Sequence, residues 1–159
     1  MSEYAQSKPL IRPAGEHDLG AILALYAQPD MDDGAVLGLP EARRVFAQMA
    51  QVPDYTLYVA ELDGQTVGTF ALLIMPNLGH CGTPAGVLED IAVAPELHSR
   101  GIGTAMIEEA VRLCRAKGCY KMTLSSNIQR SRAHDFYDRL GFARHGYSFR
   151  IDLTVNGSD

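Results

Sequence analysis

The chemistry of this chain is densest between Leu88 and Thr104, where Leu-Glu-Asp-Ile-Ala-Val-Ala-Pro-Glu-Leu-His-Ser-Arg-Gly-Ile-Gly-Thr passes from an apolar stretch into a glycine-bearing turn. It reads as a strand ending at Pro95, a turn, and a helix opened by Gly101 and Gly103. A helix N-terminus leaves backbone N–H groups unpaired and carries partial positive charge, which suits it to phosphate. Two glycines there let the main chain approach a pyrophosphate with no Cβ in the way. An ordinary strand–turn–helix accounts for the same glycines. Met106 occupies the place of the third glycine of G-x-G-x-x-G, and no Gly-Lys-Ser/Thr follows. Upstream, Glu89 and Asp90 sit in an otherwise apolar strand, where a carboxyl should hold its proton more tightly than in water. Alternation groups Glu89 with Val87, Ile91 and Val93, and puts Asp90 on the other face. Asp30, Asp32 and Asp33 share a loop with Gly34. That is an acidic rim able to attract a protonated amine, or simply a solvated loop.

The elements that must position these groups follow from periodicity. Pro9 to Pro13 is a short opening strand. Ala14 to Ala27 carries Leu19, Ile22, Leu23 and Tyr26 at helical spacing, and a second helix runs from about Pro40 to Gln51. Tyr55 to Glu61 and Gln65 to Met75 read as strands joined through Asp63-Gly64, and Val87 to Val93 as a third. Gly101 to Lys117 is a helix with Ile102, Met106, Ala110 and Leu113 on one stripe and Gly118 as its stop. Tyr120 to Ser125 is a strand, about Arg130 to Leu140 a helix, and Phe142 to Leu153 a final pair of strands. The order β-α-α-β-β-β-α-β-α-β-β predicts an α/β fold: a mixed, mostly antiparallel sheet with helices on both faces.

The stretch at His98-Ser99-Arg100-Gly101-Ile102-Gly103 resembles motif A of the GNAT acetyltransferase superfamily, Q/R-x-x-G-x-G/A, with His98 where the family has Gln or Arg. Ala133-His134-Asp135-Phe136-Tyr137-Asp138-Arg139-Leu140-Gly141-Phe142 is similar to a second GNAT block, A-x-x-F-Y-x-x-x-G-F. The resemblance implies acetyl-CoA as cosubstrate and direct acetyl transfer to an amine. It implies that the main chain of Ile91, Ala92 and Val93 meets the pantetheine arm, with an amide near Val93 polarising the thioester. His98, Ser99, Arg100, Gly101, Ile102, Gly103 and Thr104 would hold the pyrophosphate. Tyr137 matches the tyrosine that protonates the departing thiolate, although Ala133, Phe136, Tyr137 and Leu140 also read as the buried stripe of a helix. Glu89 is the leading candidate for the general base, directly or through a water, with Asp90 behind it. Asn127 matches a polar position at the pantetheine arm and could equally form a turn. Arg130 and Arg132 could meet the 3′-phosphate or be merely solvated. The acceptor side falls to Asp30, Asp32, Asp33 and Asp90. Leu88 to Val93 and Gly118 to Lys121 are also similar to glucosamine-phosphate N-acetyltransferases, but Ser125-Ser126-Asn127 departs from that pattern, so the sugar is not carried over.

The bulk numbers bound these readings. At 159 residues, 47% hydrophobic and 21% charged, the chain fits one domain over 1–159, with tails at 1–8 and 155–159. A net charge of −5 lacks the footprint of a nucleic-acid binder. No apolar run reaches the ~20 residues of a membrane span, and Met1 to Lys8 has no signal-peptide core, so a cytoplasmic protein is expected. Cys81, Cys114 and Cys119 lack zinc spacing, and the acidic loop has its glycine one place early for calcium, so no metal is expected. The expected activity is N-acetylation of a small-molecule primary amine. Acetylation of a protein N-terminus or lysine, and a silent CoA-binding module, are the alternatives. Alternation of Tyr147, Phe149, Ile151 and Leu153 points to a homodimer or to an ordinary buried strand.

Overall fold

The computed structural model describes residues 7–153. Five strands follow one another in space in the order of the chain: β1 (Leu10–Pro13), β2 (Tyr55–Leu62), β3 (Gln65–Met75), β4 (Ala85–Val93) and β5 (Lys121–Leu124). The first three pairings are antiparallel and β4–β5 is parallel. A parallel return needs a crossover, and helix α3 (Ile102–Ala116) supplies it. Two helices, α1 (Leu19–Tyr26) and α2 (Leu39–Met49), precede β2, and α4 (Ser131–Arg139) follows β5. The chain divides after Leu124 into two compact units, the first holding the sheet with α1, α2 and α3, the second holding α4.

Register shows why both faces of the sheet are apolar. Leu57, Val59 and Ala71 pack with Leu19, Ile22 and Ala42, so this face is covered by α1 and α2. On the opposite face Tyr58 stacks on Phe70 at 5.0 Å, and α3 lies over it with Ile102, Met106 and Ala110 at most 2% exposed. Gly86 lets α3 come close: a Cβ there would lie 2.4 Å from Cys114 Sγ. Burial, then the neighbouring Cys119, pushes the Cys114 thiol up to about 12.

Where β1 hands over to α1, a carboxylate is buried and fully partnered. Asp18, its side chain 3% exposed, takes Arg12 Nη1 at 2.7 Å and Nη2 at 2.9 Å. It also accepts the Gly15 N–H at 2.8 Å and the Thr66 hydroxyl at 3.3 Å. Arg12 reaches Glu61 Oε2 through Nε at 2.9 Å as well, joining β1, β2, β3 and the start of α1. Hydrogen bonding to Arg12 holds the Asp18 carboxyl down at about 2.

The expected final pair of strands from Phe142 to Leu153 is not formed: residues 142–153 carry no strand. Period-two alternation says which side chains would share a face, but a strand also needs a neighbour to hydrogen-bond. Tyr147, Phe149, Ile151 and Leu153 are 83–92% exposed. Elsewhere the boundaries move by a few residues, and the start of the first expected helix is a 3-10 turn at Glu16–Asp18. Residues 7 and 8 apart, the expected tails lie outside the described residues. Among the described residues no helix is long and apolar enough to cross a membrane.

Candidate active site

The site begins where the sheet stops being continuous. β4 pairs with β5 only as far as Leu88 opposite Leu124, whereas its pairing with β3 runs on to Val93 opposite Gly68. Beyond Leu88 no strand among the described residues lies against the β5 side of β4. Within the same stretch β4 carries a bulge: Glu89 faces Ala71 and Ala92 faces Thr69, so two residues of β4 oppose Phe70 alone. Asp90 makes the bulge possible by adopting φ +52°, a left-handed conformation that Asp tolerates better than most residues. The extra residue exchanges the faces. Glu89 shares the α1/α2 face with Val87, but Ile91 and Val93 turn to the α3 face, not to the side of Glu89 that simple alternation predicts.

Val93 ends the strand with its peptide groups aimed into the gap. The Ala94 N–H donates to the Val67 carbonyl at 2.8 Å, so the groups of Val93 point away from β3. Those of Ala92 are turned toward β3, opposite Thr69. The Val93 carbonyl is occupied by Gln28 Nε2 and by His98 Nε2, each at 3.1 Å. The group that Val93 presents to the gap is thus its N–H. The chain then turns through Pro95–Leu97, with Ser99 at φ +65°, to Gly101 at φ +80°. Gly101 is the N-cap of α3 and offers no capping side chain. The N–H groups of Ile102, Gly103 and Thr104 are left open at the positive end of a 15-residue helix. Nothing lies within 4 Å of where a Gly101 Cβ would stand. A donor at Val93 and uncapped donors at 102–104 suit the thioester and pyrophosphate ends of an acyl-CoA.

Carboxylates crowd the other side of β4. Both Glu89 and Asp90 reach solvent, yet burial raises each above its ordinary range, with Asp90 adding to Glu89 and Asp32 to Asp90. Tyr26, at the end of α1, is raised by burial, then by Asp90, Tyr55 and Asp32, against a hydrogen bond with Thr69. Tyr55 is raised by burial and by Asp90 and Glu89. The charges that raise these four groups come from carboxylates and phenols. An added positive charge beside them would oppose that shift. Tyr55 also lines an open groove of about 390 Å³ between the end of α2 and the start of β2, with Phe46, Met49 and Leu57. Asp30 and Asp33 share the loop of Asp32, but neither appears among the charges that raise the cluster.

The second unit carries Asn127, Arg130 and Tyr137. Asn127 Oδ1 accepts the Gln129 N–H at 2.9 Å, the turn-forming bond open to an Asn, while its carbonyl takes the Arg130 N–H at 3.0 Å. Tyr137 lies on the half-buried stripe of α4, 5.3 Å from Phe136 and 5.5 Å edge-on to Phe142. Burial raises its hydroxyl and the charge of Arg130 opposes this, so the phenol keeps its proton at neutral pH. Arg132 is exposed.

Residues 19–142 match the model of the Acetyltransferase (GNAT) family, a span that crosses the division between the two units. The chain belongs to the GNAT acetyltransferase family. It is an N-acetyltransferase by that membership and by its relatives. A glucosamine 6-phosphate N-acetyltransferase of Trypanosoma brucei brucei is 37% identical over 147 residues, covering 90% of this chain and 95% of the relative. An aminoalkylphosphonate N-acetyltransferase of Salmonella typhimurium is 27% identical, covering 87% and 88%. Among solved structures, a Trypanosoma brucei acetyltransferase superposes with a TM-score of 0.77 at 30% identity, covering 91% of this chain and 99% of the other.

The sequence places Glu89 on β4 and the glycine turn ahead of α3, as the structure does, but Tyr26, Gln28 and Tyr55 were not foreseen beside them. Tyr26 was legible only as a member of an apolar helical stripe. Gln28 had no signal, because its partner lies 65 residues away.

Proposed function

We propose that this chain is a cytoplasmic enzyme that moves the acetyl group of acetyl-CoA directly to the primary amine of a small molecule. The observation that carries this reading is the gap beside β4, with the Val93 N–H at one end and the open first turn of α3 at the other. Main-chain donors of Ile91 and Val93 would align the pantetheine arm as an added strand, and His98 to Thr104 would hold the pyrophosphate. Ala92, turned to β3, would contribute least. Asn127 and Arg130 would meet the arm and the 3′-phosphate.

On the amine side, Asp32 and Asp90 would gather the ammonium and Glu89 would take its proton, directly or through a water. Asp30 and Asp33 would extend the acidic rim. The free amine forms the new C–N bond, the C–S bond breaks, and the departing sulfur takes its proton from Tyr137, whose phenol is restored by the proton that the new amide nitrogen sheds. The Val93 N–H would stabilise the oxygen that gains charge in between. The groove beside Tyr55 would take the body of the acceptor. Two relatives act on amines that also carry a phosphate or phosphonate, which supports a small-molecule acceptor. The reading includes a homodimer, in which the exposed alternating residues 147–153 would be covered; sedimentation of the full chain tests this.

The test is turnover of acetyl-CoA against glucosamine 6-phosphate, an aminoalkylphosphonate, polyamines and a lysine peptide. Transfer to at least one small amine is expected, falling by about 10²–10⁴ in Tyr137→Phe. CoA binding without transfer to any acceptor would make the chain a silent module. Unchanged turnover in Tyr137→Phe would remove its role as the acid.

A further inference from the structure

Gln28 stands just beyond α1, outside every motif that the chemistry uses, and yet it touches both halves of the acyl-transfer site. Its side-chain amide spends both hydrogens on carbonyls: Leu25 at 2.8 Å, in the last turn of α1, and Val93 at 3.1 Å, at the end of β4. Its own main-chain carbonyl accepts the N–H groups of Met31 at 3.0 Å and Asp33 at 3.1 Å. The flanking residues do the same, Tyr26 accepting from Asp32 at 2.9 Å and Ala27 from Gly34 at 3.0 Å. The carboxylate loop is therefore wound onto the end of α1, and one side chain fastens that assembly to the strand.

The atom it fastens matters. An N–H donor at Val93 is useful to a thioester oxygen only if the carbonyl of the same residue, pointing to the same side, is kept from repelling it. A carbonyl oxygen has two lone pairs, and here Gln28 takes one from the α1 side while His98 takes the other from the turn before α3. With both occupied, Val93 shows the gap a donor, and a rotation about its ψ angle would disturb both bonds. Because the main-chain carbonyl of Gln28 holds the N–H groups of Met31 and Asp33, on either side of Asp32, a shift of the acceptor loop is transmitted to the peptide that meets the acyl group.

We propose that Gln28 is a positioning residue for acetyl transfer, one that sets the Val93 peptide and ties the acceptor loop to it. This rests on the reading that transfer occurs at the Val93 N–H. The role is separable from the hold on the pyrophosphate, since the open donors at 102–104 do not involve Gln28.

The experiment uses the full chain, with acetyl-CoA and an amine that the wild type acetylates. Gln28→Leu keeps the bulk and removes both donors; Gln28→Glu keeps the length and sets a carboxylate oxygen against the Val93 carbonyl. A misplaced reacting group costs one to two orders of magnitude, so kcat should fall about 10-fold or more in both. The dissociation constant of CoA, measured by calorimetry, should change less than about two-fold in both Gln28 variants. If kcat is unchanged in both Gln28 variants, or falls only in step with CoA affinity or the folded fraction, the assignment is overturned while the acyl-transfer reading stands. A wild type that binds CoA and acetylates nothing overturns both.

Discussion

Replacing Asp18 with Asn should loosen the corner from which α1 is hung. The isosteric amide keeps the volume but cannot accept both arms of the Arg12 fork while it receives the Gly15 N–H. Arg12 holds the carboxyl at about 2, below the ordinary 3.8, and that difference at ~1.36 kcal/mol per unit amounts to about 2 kcal/mol. Leaving a partly buried guanidinium short of a partner raises the cost to about 2–4 kcal/mol. For a domain of this size each kcal/mol is worth about 2–4 °C, so the melting temperature near neutral pH should fall by roughly 4–16 °C. The pH arm follows from the sign of the shift. The folded pKa lies below the unfolded one, so the contribution is complete above the unfolded value and is lost as pH falls through about 2. Thermal melts of both proteins across the acid range should therefore show the gap between them closing as Asp18 protonates. Midpoints within about 2 °C near neutrality, or a gap that does not narrow in acid, would refute the reasoning.

Three further outcomes follow from the site and its support. Gly86→Ala drives a Cβ to 2.4 Å from Cys114 Sγ and should cost about 1–3 kcal/mol in urea unfolding; adding Cys114→Ala should restore most of it, and an additive double mutant would show that the contact is not the cause. Gly101→Ala meets no atom but inherits φ +80°, so it should lose roughly 1–2 kcal/mol of stability through strain alone, and no change in the unfolding midpoint would count against that conformation. The acid limb of kcat/KM should lie above the ordinary carboxylate range, because burial and then Asp90 raise Glu89. Activity should rise with pH through that limb, disappear as a limb in Glu89→Gln, and shift to lower pH in Asp90→Asn; a limb surviving in Glu89→Gln would exclude Glu89 as the base.

The sequence disclosed the site unevenly, for physical reasons. Helix α3 was legible because it buries one repeating face, and β2 to β4 because runs of β-forming residues are bounded by turn residues such as Asp63-Gly64. The bulge at Asp90 was not, since Leu88 and Ala92 are both buried and evenly spaced although they face opposite sides of the sheet. A pattern of burial on both faces hides the point at which the backbone changes sides. Phe142 to Leu153 failed in the reverse way: its alternation is clear, but the ladder partner that would make it a strand is not encoded locally. Glu89 could be singled out as a carboxyl in an apolar run. The cluster joining it to Tyr26, Asp32 and Tyr55 needed the fold, because those residues come from three separate elements.

With CoA in the gap beside β4, as proposed, the cosubstrate would also become part of the stability of the protein. A sheet with one side of a strand left unpaired gains its missing ladder only when an extended molecule lies there, so occupancy enters the folding equilibrium as a term. For a ligand that binds only the folded chain, saturation at about 100 times its dissociation constant adds about 2.7 kcal/mol. Melting temperature thus becomes a gauge of how full the site is, and the lifetime of this enzyme in a cell should follow the size of the CoA pool.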